Sequence, residues 1–168
     1  MILSNYWKWL NGATTLNTDA SEYYDPSQDV GLIGLGGEPA LVSFASSSAD
    51  RRYKNRNIAQ GMVRLGGGNG EITYNDYAMS DDLINDTYID NWNITNGVSD
   101  AGLERTITVT GRNTSNSAIT ITEIGYAKYV ETEQNGSQYV LVAKTKLNAP
   151  ITVAPNEAFF VNMSWIEQ

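Results

Sequence analysis

Short segments in which apolar and polar residues alternate dominate the second half of this sequence, and they constrain its fold more than any other feature. Residues 106–110 read Thr-Ile-Thr-Val-Thr, which places Ile107 and Val109 on one face of an extended segment. Turn signals such as Asn135-Gly136 recur every 8 to 15 residues from about residue 40 onward. This spacing is typical of an antiparallel sandwich or barrel.

The composition favours strands and turns over helices. The chain has 17 Asn, 15 Thr, 13 Ser and 15 Gly among 168 residues, and no window shows a helical stripe longer than two turns. We therefore predict an all-β protein with a single antiparallel β-sandwich, jelly-roll or immunoglobulin-like, over residues 38–168. An extended N-terminal arm, residues 1–37, precedes it.

The predicted arm is rich in apolar groups. Tyr6, Trp7 and Trp9 form an aromatic cluster, and the arm ends in the glycine-rich stretch 31–37. Free exposure of so many apolar groups is unfavourable. The arm is therefore expected to pack either along its own domain or on a neighbouring subunit.

The absence of His and Cys removes several kinds of chemistry. Neither a Ser-His-Asp nor a Cys-His nucleophile can be built, and zinc sites of imidazole and thiolate are excluded. The acidic residues match neither an EF-hand loop nor any local hydrolase motif, although a calcium site from several loops stays open. We therefore expect no enzyme activity and no cofactor.

The net charge of -8 is unevenly distributed. Eight acidic residues and no Lys or Arg lie between residues 65 and 104, a surface that disfavours nucleic acid. The one basic cluster is Arg51, Arg52, Lys54 and Arg56, which is either a solvated loop or a docking patch for an acidic neighbour. The sequence has no apolar stretch of about 18 residues, so no membrane-spanning helix is predicted.

Two further motifs have competing interpretations. The run 66–70, Gly-Gly-Gly-Asn-Gly, lacks the Lys and Ser/Thr of a phosphate loop, so a flexible surface loop is predicted. Trp92 and the Trp7/Trp9 pair are candidates for stacking on sugars, but packing in a core or interface is the more common use of large aromatic residues.

Several segments occur in an order that resembles a known group. They are Val-Arg-Leu-Gly-Gly-Gly at 63–68, Ala-Ile-Thr-Ile-Thr-Glu-Ile-Gly-Tyr at 118–126 and Pro-Ile-Thr-Val-Ala-Pro at 150–155. Over about residues 60–168 the chain resembles small β-sandwich structural proteins of the virions of tailed bacteriophages. The resemblance brings no catalytic motif, and Glu123 is expected on the sandwich surface or bonded to a turn amide, without a catalytic role.

The resemblance implies a protein that assembles in many copies within the virion, after synthesis in the bacterial cytoplasm. We expect a head decoration (auxiliary capsid) protein that docks on the major capsid protein and forms homo-oligomers. A neck, tail or head-fibre component and a carbohydrate-binding module for host attachment are the alternatives. The residues predicted to make the docking contacts are Tyr6, Trp7, Trp9, Arg51, Arg52, Lys54 and Arg56.

Overall fold

The computed structural model of the protein describes residues 2–5, 30–42, 61–99, 102–132 and 136–167. All pairings between its strands are antiparallel, so the predicted all-β architecture is confirmed. The strands are β1 (Val30–Ile33), β2 (Pro39–Val42), β3 (Gly61–Gly66), β4 (Thr87–Ser99), β5 (Gly102–Asn113), β6 (Ile119–Thr132), β7 (Gly136–Val153) and β8 (Ala158–Glu167).

Strand β6 is the centre of a five-stranded sheet. It pairs with β3 along one edge, between Glu123 and Lys128, and with β7 along the other edge. β2 joins the far end of β6 through the pair Val42–Thr132, and β1 pairs with β2. Between Glu123 and Lys128, β6 has neighbours on both edges, so the backbone polar groups of this section have partners within the sheet.

The second sheet has three strands in the order β4-β5-β8. β4 and β5 form a hairpin, with a register shift between Ile89 and Asn91 that marks a bulge in β4. β8 returns to pair with β5 after the β6–β7 hairpin has crossed to the other sheet. The two sheets pack on each other, which confirms the predicted single β-sandwich.

One apolar core fills the space between the sheets. Ile107 and Val109 are buried, as their alternation with threonine predicts. From the opposite sheet, the fully buried Tyr126 places its ring 6.4 Å from that of Trp165 and 5.6 Å from that of Trp92. The aromatic contacts therefore join β6 to both edge strands of the three-stranded sheet.

The outer face of the five-stranded sheet is also covered. Ala127 and Leu141 from the sheet form a second buried cluster with Leu3 and Met79. Most of the cover is residues 67–86, which we call the covering loop. A Cβ atom on Gly125 would lie 2.6 Å from the Met79 sulfur, so the glycine lets the covering loop approach the strand.

Residues 2–5 bind three parts of the fold together. The Leu3 amide donates to a β7 carbonyl at 3.0 Å, and the Ser4 amide donates to the Tyr74 carbonyl of the covering loop at 2.8 Å. The Asn5 side chain donates to the Ile33 carbonyl at 2.8 Å and accepts from the Ile33 amide at 3.0 Å. This short segment therefore links β7, the covering loop and β1.

The boundary drawn between residues 37 and 38 runs between β1 and β2, which pair with each other. The described parts of the predicted arm, residues 2–5 and 30–37, pack along their own domain. Leu32 contributes to the main core and Leu3 to the second cluster. The remainder of the arm lies outside the described residues.

The glycine-rich run forms a loop after Gly66, as predicted, and its first glycines are bonded to the backbone of residues 80 and 81. The Gly67 amide donates to the Asp81 carbonyl and the Gly68 amide to the Ser80 carbonyl, both at 2.9 Å. A Cβ on Gly68 would lie 2.3 Å from the Ser80 Cβ and 2.9 Å from its carbonyl atoms. The absence of side chains therefore lets two backbone segments lie side by side.

We predict that Gly68→Ala lowers the free energy of unfolding by about 1–3 kcal/mol, because the added methyl group displaces backbone atoms of the covering loop. Urea denaturation measures the change. Gly70→Ala is the matched control, since a Cβ there meets only the Ser80 hydroxyl at 4.0 Å. Equal stability of the two variants would contradict the packing role of Gly68.

Candidate functional site

The residues predicted to make docking contacts lie outside the described residues, and their role stays a prediction. They are Tyr6, Trp7, Trp9, Arg51, Arg52, Lys54 and Arg56. Trp92, considered for sugar stacking, packs against Tyr126 in the core, so the packing interpretation is correct for this residue. The described part of the chain offers three other candidates: a buried ionic cluster, a buried lysine and an exposed sheet face.

The ionic cluster lies between the five-stranded sheet and the covering loop. Lys144 of β7 and Glu123 of β6 are 1% and 0% exposed, and Asp76 of the covering loop joins them. Lys144 pairs in register with Gly125, two residues from Glu123, so the two side chains are diagonal neighbours on one sheet face. The sheet therefore positions the lysine and the glutamate, and the loop brings the aspartate.

Four oxygen atoms of the described residues surround the Lys144 ammonium group. Its Nζ lies 3.2 Å from Asp76 Oδ2, from Glu123 Oε1, from the Ala78 carbonyl and from the Ser80 hydroxyl. A buried ammonium ion needs such partners, because its removal from water is otherwise strongly unfavourable. The covering loop supplies three of these four oxygens.

The carboxylates of the cluster differ in their surroundings. Glu123 Oε1 accepts the Ser80 amide at 2.5 Å, while its Oε2 is buried with no hydrogen-bond partner among the described residues. Asp76 Oδ1 accepts the Thr73 hydroxyl at 2.5 Å. Burial acts to raise the pKa of Asp76, but the hydrogen bonds from Thr73 and Lys144 outweigh it and hold the pKa below its usual value.

A second ion pair fixes the end of the covering loop. Arg64 of β3 bonds to Asp82, and the Leu83 amide donates to the Leu65 carbonyl at 2.9 Å. Asp82 itself forms an isolated bridge with Gly66. Acidic residues of the region 65–104 are thus used partly inside the fold, to hold the covering loop on the sheet.

Lys128 is a second buried lysine. It lies on β6 with 0% exposure, and its Nζ donates to the Tyr129 carbonyl. Burial lowers the pKa of Lys128 to about 7, because a charged ammonium group is poorly solvated there. Near neutral pH the group therefore changes its charge.

The middle of the outer face of the three-stranded sheet is uncharged, and the rows on either side of it carry Arg112 and Glu104. Three rows of residues cross β4, β5 and β8 in register, and no charged side chain belongs to them. We call this surface the threonine face; its rows are Asn91–Thr110–Phe160, Asn93–Thr108–Asn162 and Thr95–Thr106–Ser164.

Hydroxyl and amide groups make up most of the threonine face. Thr106 Oγ1 and Ser164 Oγ lie 2.7 Å apart, which joins β5 to β8 at the surface. Phe160 is 60% exposed on one row, and Tyr88, just beyond that row, is 59% exposed. Exposed aromatic rings beside neutral polar groups are typical of surfaces that bind other molecules.

A groove borders the threonine face. It has a volume of about 380 Å³ and opens between β8 and the section of β7 where the register with β6 breaks, next to Ile151. Phe160, Asn162 and Ser164 belong to both the groove and the threonine face. The groove therefore extends this surface beyond the edge of β8.

Other kinds of site are not found in the described residues. No group of three or more His, Cys, Asp or Glu side chains is placed to hold a metal ion within those ranges. No helix of the described segments has the length and apolar character needed to cross a membrane.

Comparison with known proteins gives no match: no protein-family model, no curated protein and no solved structure matches the chain.

Sequence reasoning missed the ionic cluster. The prediction that Glu123 bonds a turn amide agrees with its contact to Ser80, but its alternative placement on the sandwich surface is wrong. The one signal of burial is the apolar run 140–143, which Lys144 directly follows; Glu123 stands between Thr122 and Ile124 and has no such signal. The partner Asp76 had no such signal, since its position depends on the path of the covering loop.

We predict that Lys128→Met increases the free energy of unfolding by a few kcal/mol at pH 7 and below. The pKa of Lys128 is lower in the folded state, so the unfolded state binds more protons between about pH 7 and the ordinary value of 10.5. The free energy of unfolding of the wild-type protein should therefore rise through this pH range. The difference in stability between the variant and the wild-type protein should disappear at its upper end.

Urea denaturation at several pH values measures the difference between the two proteins. Lys146→Met is the control, since Lys146 is exposed on β7 and its removal should give no comparable dependence on pH. An advantage of the Lys128 variant that stays constant across the range would contradict the prediction.

Proposed function

We propose that the protein is a structural component of a bacteriophage virion and that it decorates the outside of the head. It acts through docking on the major capsid protein rather than through catalysis. The segments that resemble phage virion proteins, 63–68, 118–126 and 150–155, correspond to β3, to the first half of β6, and to the end of β7 with the turn before β8. The proposal adds to this resemblance a surface suited to docking.

The observation that carries the proposal is the threonine face. In a chain of net charge -8, three adjacent rows of a sheet lack charge and expose Phe160. An interface loses little free energy on desolvation of neutral side chains, whereas buried charges need partners. Five of the eight acidic residues of the region 65–104 lie on the covering loop, which supports an outer position away from packaged DNA.

The threonine face is well suited to docking by its construction. Its side chains project from three paired strands, so they lose little conformational freedom when a partner binds. The predicted contacts of the arm and of the basic cluster would add to this surface. The partner is expected to offer neutral polar groups and an apolar pocket for Phe160.

We predict that Thr108→Lys, at the centre of the threonine face, reduces incorporation into virions at least tenfold. The lysine places an unpaired charge in the interface. Its desolvation should weaken binding by at least about 1.4 kcal/mol, which corresponds to a tenfold loss of affinity. Incorporation is measured as protein per particle after infection with phage that carries the variant, followed by purification of the particles.

Asn116→Lys is the matched control, because it adds the same charge on the exposed turn between β5 and β6. It should be incorporated like the wild-type protein. Both variants are first checked for unchanged thermal unfolding. Normal incorporation of a folded Thr108 variant would show that the threonine face is not the docking surface.

The copy number per particle distinguishes the proposed station from its rivals within the virion. Hundreds of copies indicate decoration of the head, and a dozen or fewer indicate a neck, tail or fibre component. The same purified particles supply the measurement, by quantitative gel or mass analysis against the major capsid protein.

The exposed rings favour carbohydrate binding as a second candidate function. Phe160 and Tyr88 can stack on sugar rings, while Asn and Thr side chains of the same face can bond sugar hydroxyl groups. A glycan array tests this candidate. Binding that is lost in Phe160→Ala would support it, and an array without signal would eliminate it.

A further inference from the structure

The ionic cluster of Lys144, Asp76 and Glu123 contains groups that can react covalently with one another, beyond forming an ion pair. A primary amine, a carboxyl group to react with it and a second carboxylate lie within one buried cluster, each carboxylate 3.2 Å from Nζ. The amine and Glu123 are fixed on neighbouring strands, whereas Asp76 belongs to the covering loop.

We propose that Lys144 and Asp76 join spontaneously in an intramolecular isopeptide bond, with Glu123 as the group that transfers protons. The proposal assigns a self-modification to the protein and does not depend on its role in a virion. The bond would connect β7 to the covering loop, across 68 residues of sequence.

The reaction balances without any other reagent. Glu123 takes a proton from the Lys144 ammonium group, and the free amine attacks Asp76 Cγ to form the new C–N bond. Asp76 Oδ2 then leaves as water with two protons that began on Nζ, one of them delivered by Glu123. An ammonium and a carboxylate become a neutral amide and water, and Glu123 returns to its starting state.

The positions of the atoms suit these roles. Asp76 Oδ1 is held by the Thr73 hydroxyl at 2.5 Å, so a donor is already in place for the negative charge that develops on this oxygen. Oδ2 points to the amine and is the oxygen that leaves. Glu123 Oε2 has no hydrogen-bond partner among the described residues and is available to carry a proton.

Burial and close contact favour the formation of the amide bond in this cluster. Amide formation from an amine and a carboxylate is unfavourable in water at ordinary concentrations, but two groups held in contact react as if at very high concentration. The amine and Glu123 are almost fully removed from solvent, while the Asp76 side chain is 19% exposed. The water that is released can therefore leave on the Asp76 side.

The first experiment is the intact mass of the purified wild-type protein. The proposal expects a mass lower than that of the sequence by one water molecule in nearly all molecules. Digestion with trypsin should then give residues 65–105 joined to residues 129–146, because the region 65–104 has no Lys or Arg and a linked Lys144 resists cleavage.

Variants identify the three roles. Lys144→Arg keeps the positive charge but lacks the reactive amine, and Asp76→Ala lacks the carboxyl group; both should have the full mass and no joined peptides. Glu123→Gln should form the bond slowly or not at all. Lys146→Arg, on the same strand, is the control that should be linked like the wild-type protein.

Three results would overturn the proposal. One is a wild-type protein that keeps the full mass after long incubation in the folded state. A second is the loss of water without joined peptides, which indicates a cyclised aspartate. The third is a join between residues 113–128 and 129–146, which would identify Glu123 instead of Asp76 as the partner.

Discussion

The burial of strand β6 on both faces is the constraint on which the other parts of the structure depend. One face of β6 contributes Ile121, Ile124 and Tyr126 to the core between the sheets, and the other face lies beneath the covering loop. A strand covered in this way needs neighbours on both edges and a layer above each face. The covering loop, the glycine contacts and the segment 2–5 together provide that second layer.

Polar groups placed beneath a cover must find partners, and this explains the ionic cluster. Glu123 and Lys144 occupy positions where the alternation of the strands turns them away from the main core and into the second layer. Their charges require the backbone and side-chain groups that the covering loop supplies. The covering loop is thus held in place by the charges that it covers. The same contacts bring the Lys144 amine next to the two carboxylates.

The sequence predicts the sandwich well because its information is local. The alternation of residues 106–110 places Ile107 and Val109 in the core, and Gly125 marks the close approach that its lack of a side chain allows. The layer above the five-stranded sheet depends on contacts between distant residues. Glu123 and Ser80 are separated by 43 positions, so neither the packed glycine run nor the burial of Glu123 could be derived from periodicity.

The bulge in β4 has a consequence for behaviour at high concentration. β4 is a 13-residue edge strand, and Val98 near its end is 89% exposed. A long straight edge of this kind would recruit the same edge of another copy and extend into fibrils. The break in register beside Asp90 twists the strand and adds a charge there, so the edge is a poor template for uncontrolled aggregation.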